Sequence, residues 1–164
     1  MLLKDLSGRR TALIVLAVIF VLATGSQALA GLRIKRLNFD PSGTDTGTNR
    51  HINRETVLIV NNGTQDVQLR GWKLFDAKRT SVYNFHSLLL LPGESISLHS
   101  GRGSDGAPVC EVGQPCGKAR FDLYWGLRHY VWNNGSDRAT LIRPNGRVED
   151  RCGYGASEDS PKAC

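Results

Sequence analysis

The chain has 164 residues and a formal charge of +6. It contains no internal repeat, fits a single domain, and carries no basic run longer than an adjacent pair, which speaks against a polybasic arm. It also lacks a Gly-x-Ser-x-Gly elbow, the short-gap cysteine pairs of a zinc ribbon, and EF-hand spacing.

Residues 1–30 read as a separate object, a signal peptide. Lys4, Arg9 and Arg10 form a basic n-region, Leu13 to Leu22 is an apolar run shorter than a membrane span needs, and Ala28-Leu29-Ala30 is the small-x-small pattern before a cleavage site. Gly31 is not cysteine, so lipid attachment there is unsupported, and Thr11-Ala12-Leu13 lacks the aromatic of a twin-arginine signal. Cleavage after Ala30 takes three cations and one anion from the +6, leaving +4 on a secreted chain of about 134 residues. A chain of that size buries roughly two-thirds of the surface it exposes when unfolded.

After Ala30 no helical periodicity is sustained. Short β-branched and aromatic runs alternate with Gly, Pro, Asn and Asp clusters, the pattern of an all-β sandwich or barrel. Leu32 to Phe39 is the first predicted strand, and the phase jump between Ile34 and Leu37 predicts a bulge or an edge position. Asp40 to Asn49 is a turn-rich loop. Thr56 to Val60, continuously apolar, predicts a strand covered on both faces and ended by Asn61-Asn-Gly63. Val67 and Leu69 share one parity, Trp72 and Leu74 the other, so Arg70-Gly71 is expected to be a bulge. Ser81 to Phe85 and Leu88 to Leu91 follow as strands, the latter stopped by Pro92-Gly93. Glu94 to His99 alternates, with Ile96 and Leu98 inward. Gly101 to Lys118 is a Gly-rich excursion. The stretch Phe121 to Gly126, then Val131 to Leu141, sets large rings beside an Asn-Gly turn, the chemistry of a sandwich corner. Pro144-Asn145-Gly146 between Ala139–Ile142 and Arg147–Asp150 is a hairpin signal. The domain is expected to span 31–154, followed by a polar tail, 155–164, ordered only through Cys164.

Cys110, Cys116, Cys152 and Cys164 are an even set in an exported chain and read as disulfides with three connectivities open. Proximity favours Cys110–Cys116 and Cys152–Cys164, each contributing roughly 2–3 kcal/mol by loop entropy.

Several segments quoted above together resemble the lamin-tail domain, in its bacterial, secreted branch. They are Asn53-Arg-Glu-Thr-Val-Leu-Ile-Val-Asn-Asn-Gly63, Leu69-Arg-Gly-Trp-Lys-Leu-Phe-Asp76, Tyr83-Asn-Phe85, Leu91-Pro-Gly93, His99-Ser-Gly-Arg-Gly103, Leu123-Tyr-Trp125 and Val131-Trp-Asn-Asn-Gly-Ser-Asp-Arg-Ala-Thr-Leu141. The resemblance covers about Leu32 to Tyr154 and implies a single immunoglobulin-like β-sandwich, with Trp72 in its core and Trp132 packed at a sheet end near Asp137. Roughly seven to nine short strands with closely spaced turns agree with it independently. The family's usual Asn-Glu before its second strand is here Asn53-Arg-Glu55, and the cysteines are not general to it. In nuclear lamins related domains dock proteins and chromatin. Bacterial relatives accompany secreted hydrolases as tethering modules, so the resemblance implies an interaction or structural role.

No nucleophile, base and orienting group can be named together, so no catalytic residue and no cofactor are expected. His51, His86, His99 and His129 read as scattered surface histidines. Asp40, Ser42, Asp45 and Thr48, and again Asn133, Asn134, Ser136 and Asp137, offer hard oxygens that suit calcium or, more simply, turn chemistry. Asn62-Gly-Thr64 and Asn134-Gly-Ser136 match the glycosylation pattern but double as Asn-Gly turns. Arg138, Arg143 and Arg147 near the late hairpin, with Arg33, Lys35 and Arg36 on the first strand, are the candidate surface for an anionic partner, nucleic acid or cell-wall polymer. The expectation is a secreted, non-enzymatic interaction module whose partner is an extracellular protein or surface component, with that anionic binder as the alternative.

Overall fold

The computed structural model describes residues 31–106 and 119–164. The expected Cys110–Cys116 pair and the first thirty residues lie outside them. Two sheets pack face to face as an immunoglobulin-like β-sandwich. The strands are β1 (Leu32–Asn38), β2 (Thr56–Asn61), β3 (Val67–Gln68), β4 (Lys73–Phe75), β5 (Val82–Asn84), β6 (Leu89–Leu90), β7 (Ser95–His99), β8 (Arg120–Tyr124), β9 (Asp137–Ile142), β10 (Val148–Tyr154) and β11 (Lys162–Ala163). One four-residue helix, α1 (Asn49–Ile52), precedes β2, its N-terminus capped by the Thr48 side chain. Among the described residues the first sheet has the order β11-β1-β2-β7-β8 and the second β10-β9-β4-β5, with β3-β6 as a small ribbon.

Period-2 patterning selects the inner faces. Ile34 lies opposite Ile59, and Ile59 opposite Ile96. Leu74 lies opposite Leu141 in the second sheet. All five are at most 1% exposed, each worth about 1.5–3 kcal/mol of burial. Trp72 joins this core, and Phe39 stacks on Tyr154 with centroids 3.6 Å apart. Trp132, 2% exposed, meets Trp125 edge-on at 6.1 Å.

Three expectations need correction. β2 is covered on its inner face only: Val57, Ile59 and Asn61 are buried, whereas Thr56, Leu58 and Val60 are half-buried. Its outer face belongs to a single-sided sheet, where Leu58 and Val60 sit opposite the long stems of Arg36 and Arg33. Arg70-Gly71 is a turn and not a bulge: the Trp72 amide donates to the Leu69 carbonyl at 2.9 Å and Gly71 takes φ +85°. The parity change therefore marks the crossing from the ribbon into the second sheet. The tail is held by more than its cysteine, because β11 adds to β1 and the Ser160 hydroxyl accepts from the Phe39 and Asp40 amides at 3.1 and 2.9 Å.

The predicted bulge in β1 is present, with a register shift between Ile34 and Arg36. The late hairpin forms too, Gly146 taking φ +81° in its turn. β7 and β8 are parallel, which requires a long crossover, and the Gly-rich excursion after His99 supplies the length. Within it, the side-chain amides of Asn49 and Asn53 both donate to the Arg102 carbonyl at 2.9 Å. A side chain at Gly101 would collide with both asparagines, which is the physical reason for glycine there.

Cys152 and Cys164 are bridged, joining the second sheet to the tail of the first. Cys164→Ser should lower stability by about 3 kcal/mol, the loop-closure value for a separation near 12 residues, seen as a fall in the urea midpoint. Peptide mapping without reduction should recover Cys152 and Cys164 together; a Cys110–Cys152 link would overturn the assignment.

Candidate anionic-partner surface

The two sheets meet along a seam where β1 faces β10. Each strand is irregular there: β1 shifts register between Ile34 and Arg36, β10 between Val148 and Asp150. The Ile34 amide donates to Asp150 Oδ2 at 2.8 Å, and Arg33 Nη1 to the Glu149 carbonyl at 3.3 Å. Arg33 is also 3.7 Å from Asp150 Oδ1, and Arg143 pairs with Glu149.

This seam gathers part of the predicted basic set. Arg33, Arg143 and Arg147 line one depression of about 410 Å³ together with Asn62, Gly63 and Glu149. Arg33 and Lys35 line a second, of about 360 Å³, which also takes in Asn62. The two therefore run into each other. Arg36 and Arg138 stand apart: neither lines the seam, and Arg138 lines a separate depression with Asp137 and Gly153 of the second sheet and Glu158 of the tail. Sequence reasoning missed Arg151 and Lys162, which line the second depression. Arg151 lies in the strand already predicted, next to Cys152, so its place was within reach; Lys162 depends on the tail strand, for which the sequence carries no periodic signal.

The histidines are more engaged than expected. His86 and His129 are exposed. His99 is not free on the surface: its Nδ1 hydrogen donates to the Asn53 carbonyl at 2.7 Å, Nε2 lies 3.4 Å from Asp122, and its ring stacks on Tyr124. His51 is only 7% exposed, with Nδ1 2.7 Å from the Tyr130 hydroxyl. Its sequence position beside a polar loop hid the one-turn helix that carries it inward.

The two oxygen-rich loops do come together, through turn chemistry. The Asn134 amide donates to Asp40 Oδ1 at 3.2 Å and to Asp45 Oδ2 at 3.4 Å. Asp137 accepts from the Ala77 amide at 2.9 Å and from the Asn133 side chain at 2.9 Å. Among the described residues no group of three or more His, Cys, Asp or Glu is placed to hold a metal ion.

Glu55 is the group sequence reading passed over. It is fully buried, and its carboxylate accepts from the Val131 and Trp132 amides at 2.8 and 3.2 Å. Burial pushes its pKa up from 4.5 to about 7, against the hydrogen bonds from Val131, Ser100 and Trp132 that pull it down, and Asp45 adds to the rise. The residue thus clamps the start of β2 to the segment that carries Trp132.

The sequence model of one family, the Lamin Tail Domain, matches residues 25–156. Among curated proteins no match is found.

The raised Glu55 pKa gives the fold a pH dependence. The folded chain keeps this proton to higher pH than the unfolded chain, so the contribution is full below about pH 4.5 and is lost as pH rises through about 7, roughly 3 kcal/mol in all. Urea denaturation over that window should show wild-type stability falling with pH and Glu55→Gln flattening the slope. The variant should also be less stable throughout, because its amide NH₂ meets a backbone N–H.

Proposed function

The chain belongs to the lamin tail domain family, and from that premise we propose that it works outside the cell as a non-enzymatic interaction module. On this reading residues 1–30 direct export, residues 31–154 form the working domain, and the tail is tied down by oxidation. The disulfide suits an oxidising compartment, and among the described residues no helix is long and apolar enough to cross a membrane.

One observation carries the reading. Three of the polar side chains that could serve a reaction are committed to structural bonds: Glu55 to two backbone amides, His99 to the Asn53 carbonyl, Asp137 to its neighbouring turn. What remains presented are loops and the charged seam, surfaces suited to holding another molecule. Family membership alone does not name that molecule.

A second reading is favoured by the seam itself. Arg33, Arg143 and Arg147 share one depression, so the surface is a binder of nucleic acid or of an anionic wall polymer by counterion release.

Two measurements test the module reading. Expressed with its leader, the chain should be recovered from the medium with Gly31 at its N-terminus by mass spectrometry. Incubated with surface material, it should enrich a discrete partner after cross-linking. Retention in the cytoplasm, or turnover of an ester, glycoside or nucleic-acid substrate by the purified chain, would overturn it.

A further inference from the structure

We propose that the β1–β10 seam is a track for a linear polymer with a phosphodiester backbone, and that the disulfide-held tail completes the track. This rests on the second reading above and gives it a site, a ligand chemistry and a dependence on oxidation.

The two depressions share Arg33 and Asn62, so they form one continuous path. Its cations are Arg33, Lys35, Arg143, Arg147, Arg151 and Lys162. Its side-chain carboxylates are Glu149 and Asp150, already matched with Arg143 and Arg33. Lys35, Arg147 and Arg151 make no ion pair among the described residues, which leaves their charge for a partner.

The arrangement suits a repeating anion better than a compact one. Arg33 and Lys35 both face outward along β1, Lys35 at its bulge, and the cations of β10 and its turn continue the path from the other sheet. Most of the six are arginines, whose planar forks match phosphate oxygens two at a time. Neither depression has an aromatic side chain in its lining, so there is no platform for stacking bases or sugar rings. Recognition therefore falls on backbone charge and is independent of base sequence.

The tail is part of this path. Lys162 and Cys164 line the second depression, β11 is paired to β1, and the bridge to Cys152 holds both in place. Breaking the bridge removes one of the holds on Lys162, which is paired with Glu158 and kept beside β1 by the β11 pairing, and so loosens its place on the path.

Fluorescence anisotropy of the oxidised chain tests this with two probes, a single-stranded DNA oligonucleotide and a poly(glycerol phosphate), over a salt series. Both should bind, more weakly as salt rises. Arg147→Ala and Arg151→Ala should each weaken binding several-fold and make the log–log salt slope for DNA shallower by about 0.7 per cation removed. Arg138→Ala, off the seam, should leave affinity and slope unchanged. Lys162→Ala and the Cys152→Ser/Cys164→Ser pair should each reduce affinity with the far-ultraviolet spectrum retained. Binding of one probe alone assigns the source of the phosphodiester and upholds the site. No binding of either at low salt, capture of heparin alone, or equal losses in Arg138→Ala and Arg147→Ala would overturn the track. Undiminished affinity in Lys162→Ala would overturn the role of the tail. None of these failures touches export or partner capture, which test the module reading separately.

Discussion

The Ile34 amide and the Asp150 carboxylate hold the two sheets together at the place where neither strand is regular. A sandwich of this size has one core, and that core stays dry only if its open side is closed. A bulge in β1 turns a backbone donor sideways, and a bulge in β10 brings an acceptor to meet it. A charge-assisted bond to a backbone amide is stronger than a neutral one, and an orphaned amide here would be costly. The basic side chains follow from this closure. With Ile34 and Leu37 committed inward, Arg33, Lys35 and Arg36 are left outward, Arg33 and Arg36 in register with β2 and Lys35 as the extra residue of the bulge.

The opposite end of the sandwich uses a different device. A fully buried carboxylate with no cation facing it is expensive, and Glu55 persists because two amides and a hydroxyl answer it. This clamp ties the segment between α1 and β2 to the segment bearing Trp132, two stretches distant in sequence. Asn49 and Asn53 do the same for Arg102 by neutral bonds. The helix of four residues is too short to be stable alone and exists as the platform for these bonds.

Much of this was legible from residue pattern. The inward pair Ile96 and Leu98 follows from period-2 alternation, and the β1 bulge, which lets both Ile34 and Leu37 face the core, from a broken phase. The late hairpin was announced by Asn145-Gly146. The errors share a cause. A phase change at Arg70-Gly71 looks the same whether a strand bulges or the chain leaves for another sheet; only the partner strand decides. The apolar run in β2 looked two-sided because Leu58 and Val60 are apolar, yet both are half-buried and stand opposite arginines of β1. Glu55 and Lys162 could not be placed, since the one depends on amides some seventy-five residues away and the other on a two-residue strand with no periodicity of its own. Of the basic surface, the pattern gave the right strands but not which side chains share a depression, because that is set by how the sheets abut.

β1, the first strand of the described chain, is bonded to β11, its last, and leans on β10. Pairings so remote in sequence must overcome the loss of chain freedom before any contact rewards them. High contact order of this kind places the domain among slow folders, roughly milliseconds to seconds. Because synthesis proceeds from the amino end, β1 keeps one edge unpaired until β11 has been made. That edge of the first sheet is therefore the last to be covered.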